Sequence, residues 1–366
     1  MKRLLYFVLL AGLACSCNSV SLKRFNAGNE NIKYSGRTDI ISDSMVVLIG
    51  SASSAITKFT GDTCIIYLKN NTYENKQNYF VIELDGEYLG RTRIEGDSVI
   101  SFPIKTKSDI DVHDLGIYKA TEASNGNIII CGIECESLQK TEEKPEKSIE
   151  FIGNSITCGF GVDYDDIPCH TGEWYDQHNA YFAYGPVVSR MLDVNYMLSS
   201  VSGIGIYRNW NGEGPVMPVV YENRYLNLDT SKQWDFNRFK PDIVSICLGT
   251  NDFSDGDGIH ERLPFDEKQF TQNYIDFVSK IYSHYPDAQI ALLSSPMLSG
   301  EKNDLLIKCL RTVQEHFNEG KNKPVEIFLF EGITPHGCDY HPDKNDEKIM
   351  AEQLYPFYKK LLDSLE

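Results

Sequence analysis

The sequence predicts two domains in series, an all-β sandwich followed by an α/β domain with a mainly parallel five-stranded sheet. Three observations predict it. Residues 32–136 hold short β-branched and aromatic runs broken by turn residues, residues 137–147 are polar with a proline, and from residue 148 onward short apolar runs alternate with longer amphipathic stretches. The first pattern is that of a sandwich; the last is that of strands crossing over through helices into a parallel sheet covered on both faces.

Taken in order, the chain opens with Lys2 and Arg3, an apolar run from Leu4 to Ala14, and Gly12-Leu13-Ala14-Cys15-Ser16-Cys17. The run is too short to span a bilayer and fits the core of a signal peptide. Small residues before a cysteine at this distance resemble a bacterial lipoprotein signal. Residues 1–17 are therefore expected to be removed up to a lipidated cysteine, Cys17 or Cys15, leaving the mature chain exported and anchored to a membrane. Residues 18–31 read as a tether.

In the sandwich region the expected strands are Val46–Gly50, Thr63–Leu68, Tyr79–Leu84, Val99–Ile104 and Asn127–Ile133, with turns at Thr60-Gly61-Asp62, Lys69-Asn70-Asn71 and Asp85-Gly86. A helix of ordinary length has no place here. Beyond the linker, apolar runs begin at Ile149, Asn195, Ile243, Ile290 and Val325. Helical periodicity covers Asn179–Leu192, Asp266–His284, Asp304–Phe317 and Lys344–Leu362. Sheets of this kind place ligands at the carboxyl ends of their strands.

The chain has 366 residues, 42% hydrophobic and 24% charged, which is ordinary globular usage for about two domains. Its net charge of −17 comes without a dense Lys/Arg stripe, which argues against a nucleic-acid partner. Ten cysteines show no C-x-x-C spacing, so common zinc and thioredoxin motifs are missing. Cys131 and Cys135 share one strand-like run and stand too far apart along it to bridge, so both are expected as buried thiols. The other pairings stay open. Asp163-Tyr164-Asp165-Asp166, with Cys169 and His170 nearby, lacks the glycine and distal glutamate of a calcium loop and reads as an acidic surface loop. No metal and no cofactor is expected.

Three strand ends carry chemistry. The first apolar run enters Gly153-Asn154-Ser155-Ile156-Thr157, the third enters Gly249-Thr250-Asn251-Asp252, and Gly337-Cys338-Asp339-Tyr340-His341-Pro342 precedes the final helix. A serine just past a strand is a candidate nucleophile or a helix N-cap. A side-chain amide at a strand tip is a candidate oxyanion donor.

In this order, with Val201-Ser202-Gly203 after the second run, these words resemble the conserved blocks of the SGNH (GDSL-like) hydrolases. The sandwich in front and Gly-Cys-Asp-Tyr-His-Pro behind are similar to carbohydrate esterase family two, the acetyl xylan esterases. That resemblance implies a jelly-roll domain followed by a flavodoxin-like α/β/α domain that removes acetyl groups, often at O6, from polysaccharides such as xylan or mannan or their oligosaccharides. It implies Ser155 as nucleophile, His341 as base, and an oxyanion hole from the Ser155 and Gly203 N–H groups and the Asn251 amide, with no metal. Two departures stand out. Asn154 replaces the usual aspartate of the first block. Cys338 occupies the place of the third triad member, with Asp339 one residue later. Either Asp339 or main chain near Cys338 is then expected to orient His341, as in a Ser–His dyad. Tyr207, Trp210, Tyr340 and Trp174 are candidates for stacking on a sugar ring. Competing readings keep the machinery but change the ester to a lipid or thioester, or make the chain a non-catalytic glycan-binding lipoprotein. Oligomeric state is not legible.

Overall fold

The computed structural model describes residues 21–73, 76–106, 110–141, 147–319 and 325–365. The leader with Cys15 and Cys17 lies outside these residues, as do residues 142–146 of the polar linker.

The N-terminal domain is a sandwich of two six-stranded sheets, and its strand pairings among the described residues are antiparallel. One sheet runs in the order Thr38–Ser42, Met45–Leu48, Gly126–Cys135, Thr63–Thr72, Val99–Lys105. The other runs Ser137–Gln139, Ser54–Thr60, Val112–Lys119, Tyr79–Leu84, Glu87–Arg93. Alternate residues of each inner face, such as Ile66, Leu68, Ile128, Ile130, Phe80 and Ile82, make its core. A single 3₁₀ turn, Ala123–Asn125, interrupts the strands described here.

Three sequence expectations change. Lys23–Phe25, inside the expected tether, pairs antiparallel with Ile133–Cys135, and Ser137–Gln139, inside the expected linker, pairs with Lys58–Thr60. An open sheet edge offers each a row of backbone partners, and each sends one apolar side chain, Phe25 or Leu138, toward the sandwich core. Lys69-Asn70-Asn71 is strand rather than turn. Asn70 is buried there because its amide donates to Gln77 at 3.0 Å and accepts from Asn78 at 2.9 Å.

In the second domain the strands Ser148–Gly153, Asn195–Ser200, Ile243–Cys247, Gln289–Leu293 and Glu326–Phe328 form an all-parallel sheet in the spatial order second, first, third, fourth, fifth. The helices are α1 (Ser155–Cys158), α2 (Tyr184–Leu192), α3 (Met217–Val220), α4 (Glu267–His284), α5 (Gly300–Asn318) and α6 (Lys344–Asp363). Each strand sends alternate residues to opposite faces. Val244, Ile246, Ile290 and Leu292 meet α4 and α5, whereas Ile149, Phe151, Ala291 and Leu293 meet α2 and α6. The strand order reverses between the first and third strands, so the crevice at their carboxyl ends is the expected ligand position. Ser155 and Asn251 follow those two ends.

The two domains share buried polar contacts. Arg37 of the sandwich is fully buried and donates to Ser199 Oγ at 3.0 Å, Tyr221 O at 2.8 Å and Asn223 O at 2.9 Å. Arg91, on Glu87–Arg93, donates to the carbonyls of Asp176 and His178 at 2.5 and 2.7 Å. Each guanidinium thus satisfies carbonyls of loop backbone in the second domain.

Candidate active site

Ser155 opens α1, one turn of helix packed directly behind the first strand. Asn154 caps it, its side chain accepting from Ile156 N at 3.2 Å, so the Asn154 that departs from the family block acts as a helix cap. Gly153 has no room for a side chain, since a Cβ there would stand 1.9 Å from Thr157 Oγ1. That close approach lets the chain turn from strand to helix with Ser155 at the tip.

His341 reaches across from the loop before α6. Its Nε2 lies 2.7 Å from Ser155 Oγ and its Nδ1 lies 2.9 Å from the carbonyl oxygen of Asp339. A carbonyl only accepts, so Nδ1 carries the proton and Nε2 presents its lone pair to the serine hydroxyl. The orienting group is therefore main chain, one residue later than Cys338. The Asp339 carboxylate turns away, 3.6 Å from His170 Nδ1. Both Asp339 (φ 50°) and Tyr340 (φ 61°) adopt the left-handed conformation, rare for such side chains, and this turn brings the carbonyl back under the imidazole. A disulfide joins Cys338 to Cys169, 169 positions away, and ties the turn to the loop carrying Trp174. Cys131 and Cys135 are free thiols; Cys135 is buried and Cys131 half-buried.

Burial pushes the His341 imidazole down to about 4, and the nearby His178 adds to this against the raising effect of the Asp339 carbonyl. Phe160 lies against the imidazole, ring centroids 4.3 Å apart, and Trp174 stacks on Phe160 at 6.0 Å and 18°.

Gly203 sits beyond the second strand at φ 77°, and a Cβ there would stand 2.5 Å from Trp210 Cδ1. Trp210, 44% exposed, therefore covers this glycine with its indole. Asn251 follows the third strand and donates from Nδ2 to Ile204 O at 2.8 Å. Because that partner is a carbonyl, the amide orientation is set and a second N–H remains on the same nitrogen. Among the described residues neither the Ser155 nor the Gly203 backbone N–H has a protein partner. The structure thus places Ser155, Gly203 and Asn251 after the ends of three adjacent strands and brings His341 to Ser155 from the loop before α6.

Of the aromatic candidates, Trp174, Trp210 and Tyr340 are exposed and border these loops. Tyr207 does not join them. Its ring packs edge-on against Phe265 and Phe270, and its hydroxyl accepts from Asp266 N at 3.2 Å, next to the start of α4. An apolar core within reach outcompeted the cleft for that side chain.

Further residues matter that the sequence left unmarked. Asp252 is buried and accepts the N–H groups of Ile206, Tyr207 and Arg208 at 2.9–3.1 Å, shaping the loop after Gly203; burial raises its carboxyl to about 6. Its place in Gly-Thr-Asn-Asp was a signal for it. Arg262 ties that loop to Asn251 by donating to Asn209 O at 2.5 Å and Asn251 O at 2.6 Å. In the acidic loop Asp165 and Asp166 are exposed as expected, but Asp163 is buried between Lys344 at 2.7 Å and Arg91 at 3.6 Å, which satisfy its charge. Among the described residues one group, His336, Asp343 and Asp346, puts three potential metal-ligand atoms within 4.8 Å of one another. Asp343 and Asp346 form the capping box of α6 and His336 Nδ1 lies 2.9 Å from Asp346, so helix capping accounts for the cluster.

Residues 151–323 match the GDSL-like lipase/acylhydrolase family and residues 34–145 match the carbohydrate esterase 2 N-terminal family. The chain pairs a carbohydrate esterase 2 N-terminal domain with a GDSL-like acylhydrolase domain. An acetylxylan esterase / glucomannan deacetylase of Cellvibrio japonicus is 28% identical over 287 residues, covering 77% of this chain and 78% of that protein. The cellulase/esterase CelE of Acetivibrio thermocellus is 29% identical over 337 residues, covering 89% of this chain but 39% of that longer protein. A family two carbohydrate esterase from Clostridium thermocellum, solved in complex with cellohexaose, superposes with a TM-score of 0.80 at 27% identity, over 91% of this chain and 99% of that one. The two family matches together account for both domains and for the order in which they occur.

Proposed function

We propose that the chain is a serine-dependent carbohydrate O-acetyl esterase acting on acetylated polysaccharide, such as xylan or glucomannan, or its oligosaccharides. The observation that carries this reading is the 2.7 Å contact between Ser155 Oγ and His341 Nε2, beside three unengaged N–H donors. The named activities of the Cellvibrio relative and the cellohexaose held by the Clostridium esterase support carbohydrate as the alcohol half of the ester.

In the proposed reaction Ser155 Oγ attacks the acetyl carbonyl while its proton passes to His341 Nε2. The carbonyl oxygen becomes an oxyanion facing the Ser155 and Gly203 N–H groups and the Asn251 amide. Collapse breaks the bond to the sugar oxygen, which takes the proton back from Nε2 and leaves as the free hydroxyl. Water then gives its proton to Nε2, attacks the acetyl-serine, and acetate departs as Ser155 recovers its hydrogen. The exposed indoles of Trp174 and Trp210 lie where a sugar ring could stack.

Two expected results test the dyad. Asp339→Asn keeps the carbonyl and is expected to retain kcat/KM within about 5-fold, against the loss of roughly 10⁴ when a true triad aspartate is neutralised. A loss approaching that size would make the carboxylate a triad member. The acid limb of kcat/KM is expected at an apparent pKa of about 4, because only below that value does Nε2 hold a proton and stop accepting one from serine. A limb centred near the ordinary histidine value, about 6.5, would contradict the assignment.

A further inference from the structure

We propose that Glu122, carried by the sandwich domain, is a positioning residue for the oxyanion-binding peptide of the hydrolase domain; this rests on the serine-esterase reading. Glu122 follows the strand Val112–Lys119 and is completely buried. Its carboxylate accepts the backbone N–H of Ser202 at 3.3 and 3.1 Å through its two oxygens and also the Ser202 hydroxyl. Ser202 is the residue before Gly203, so the carboxylate grips the chain one peptide away from the N–H offered to the oxyanion.

The surroundings of Glu122 fit that role. Lys119 Nζ donates to the carbonyls of Thr121 and Glu122 at 2.9 and 2.6 Å, fixing the backbone that presents the carboxylate. Burial disfavours ionisation, but His178 nearby and the hydrogen bonds from Ser124 and Ser202 outweigh it and hold the carboxyl below its usual range. His178 Nε2 lies 3.6 Å from the carboxylate, and its ring meets Phe160 at 4.7 Å, the same ring that packs on His341. Trp210 covers Gly203, and Trp210 N donates to Gly203 O at 3.0 Å. The glycine is thus held between an indole of its own domain and a residue anchored from the other. A negative charge this close to a developing oxyanion is electrostatically unfavourable, so what Glu122 contributes is geometry. A misplaced donor loses much of its value because oxyanion stabilisation depends on preorganisation.

The test uses the full chain and 4-nitrophenyl acetate, with Glu122→Ala, Glu122→Gln, Asn251→Ala and the Glu122→Ala/Asn251→Ala double variant, each with its melting temperature. Glu122→Ala is expected to lower kcat about 10²-fold with KM nearly unchanged, the size of a lost oxyanion donor. Glu122→Gln keeps an acceptor for Ser202 and is expected to restore kcat to within about 5-fold of wild type. The double variant is expected to be little worse than Asn251→Ala alone, because both changes spoil one oxyanion hole. A melting point that falls while kcat holds, a KM that rises in step with the loss, or fully additive losses would overturn the proposal. If Glu122→Ala does not fold, Ser202→Ala carries the test, with lowered kcat at constant KM expected and unchanged kcat contrary. An inactive wild type would instead sink the esterase reading itself, whereas an active wild type with an equally active Glu122→Ala sinks the positioning role alone.

Discussion

Replacement of Ser155 by alanine is expected to lower kcat for acetyl esters by about 10⁶-fold, or roughly 8 kcal/mol of transition-state stabilisation. The size follows from the geometry. His341 Nε2 is 2.7 Å from Ser155 Oγ and its tautomer is set by a carbonyl, so the proposed nucleophile and base are expected to act as one unit. His341→Ala is accordingly expected to cost nearly as much, and the double variant no more than either alone. Acetate release from acetylated xylan, glucomannan and 4-nitrophenyl acetate measures this, with chelator present throughout. Residual activity within about 10-fold of wild type in Ser155→Ala would exclude an acyl-enzyme at this residue, since alanine offers no nucleophile. Cleavage of the nitrophenyl ester alone would keep the machinery and remove carbohydrate as its substrate.

The second large effect is expected at Asn251. Asn251 is 8% exposed and its carboxamide is locked by the bond to Ile204 O, leaving a second N–H on the same nitrogen. Asn251→Ala is expected to reduce kcat by about 10²–10³, or roughly 3–4 kcal/mol, with little change in KM because the oxyanion exists only along the reaction path. Asn251→Asp would separate hydrogen bonding from shape: it keeps the volume but replaces the donor with a charge opposed to the oxyanion, so its loss is expected to exceed that of alanine. Activity of the aspartate variant near wild type would remove Asn251 from the oxyanion hole.

Much of the hydrolase domain was legible because its signals are local. Each parallel strand is a compact apolar run, each long helix has its own amphipathic period, and Ser155, Asn251 and His341 follow recognisable words. The sandwich was harder. Ser54–Thr60 and Val112–Lys119 alternate apolar residues with Lys58, Asp114 and Gly116, and such strands declare themselves only when a partner sheet buries one face. Lys23–Phe25 carries no apolar pattern and is strand because an edge was free. At the site, what escaped was non-local. The left-handed turn at Asp339 and Tyr340 depends on packing around Cys338, and Cys338 finds Cys169 across half the chain. Glu122 and Arg91 act on a domain that begins after them in sequence, and nothing in Ala120-Thr121-Glu122 or Leu89-Gly90-Arg91 announces it. Tyr207 misled for the complementary reason: polar neighbours in sequence suggested a cleft, while its ring had Phe265 and Phe270 to bury against.

The Cys169–Cys338 bridge has a topological consequence. Ser155 precedes Cys169 and His341 follows Cys338, so the bridge closes the chain between the two cysteines into a covalent loop and leaves the proposed nucleophile and base on its two flanks. A protease that nicks the exposed segment around Ile259, which is 84% exposed, would leave Ser155 and His341 on two separate polypeptides still joined by sulfur. Such a clipped molecule would keep Ser155 and His341 in one covalent assembly, and its integrity would pass from the peptide backbone to a bond that a thiol can open.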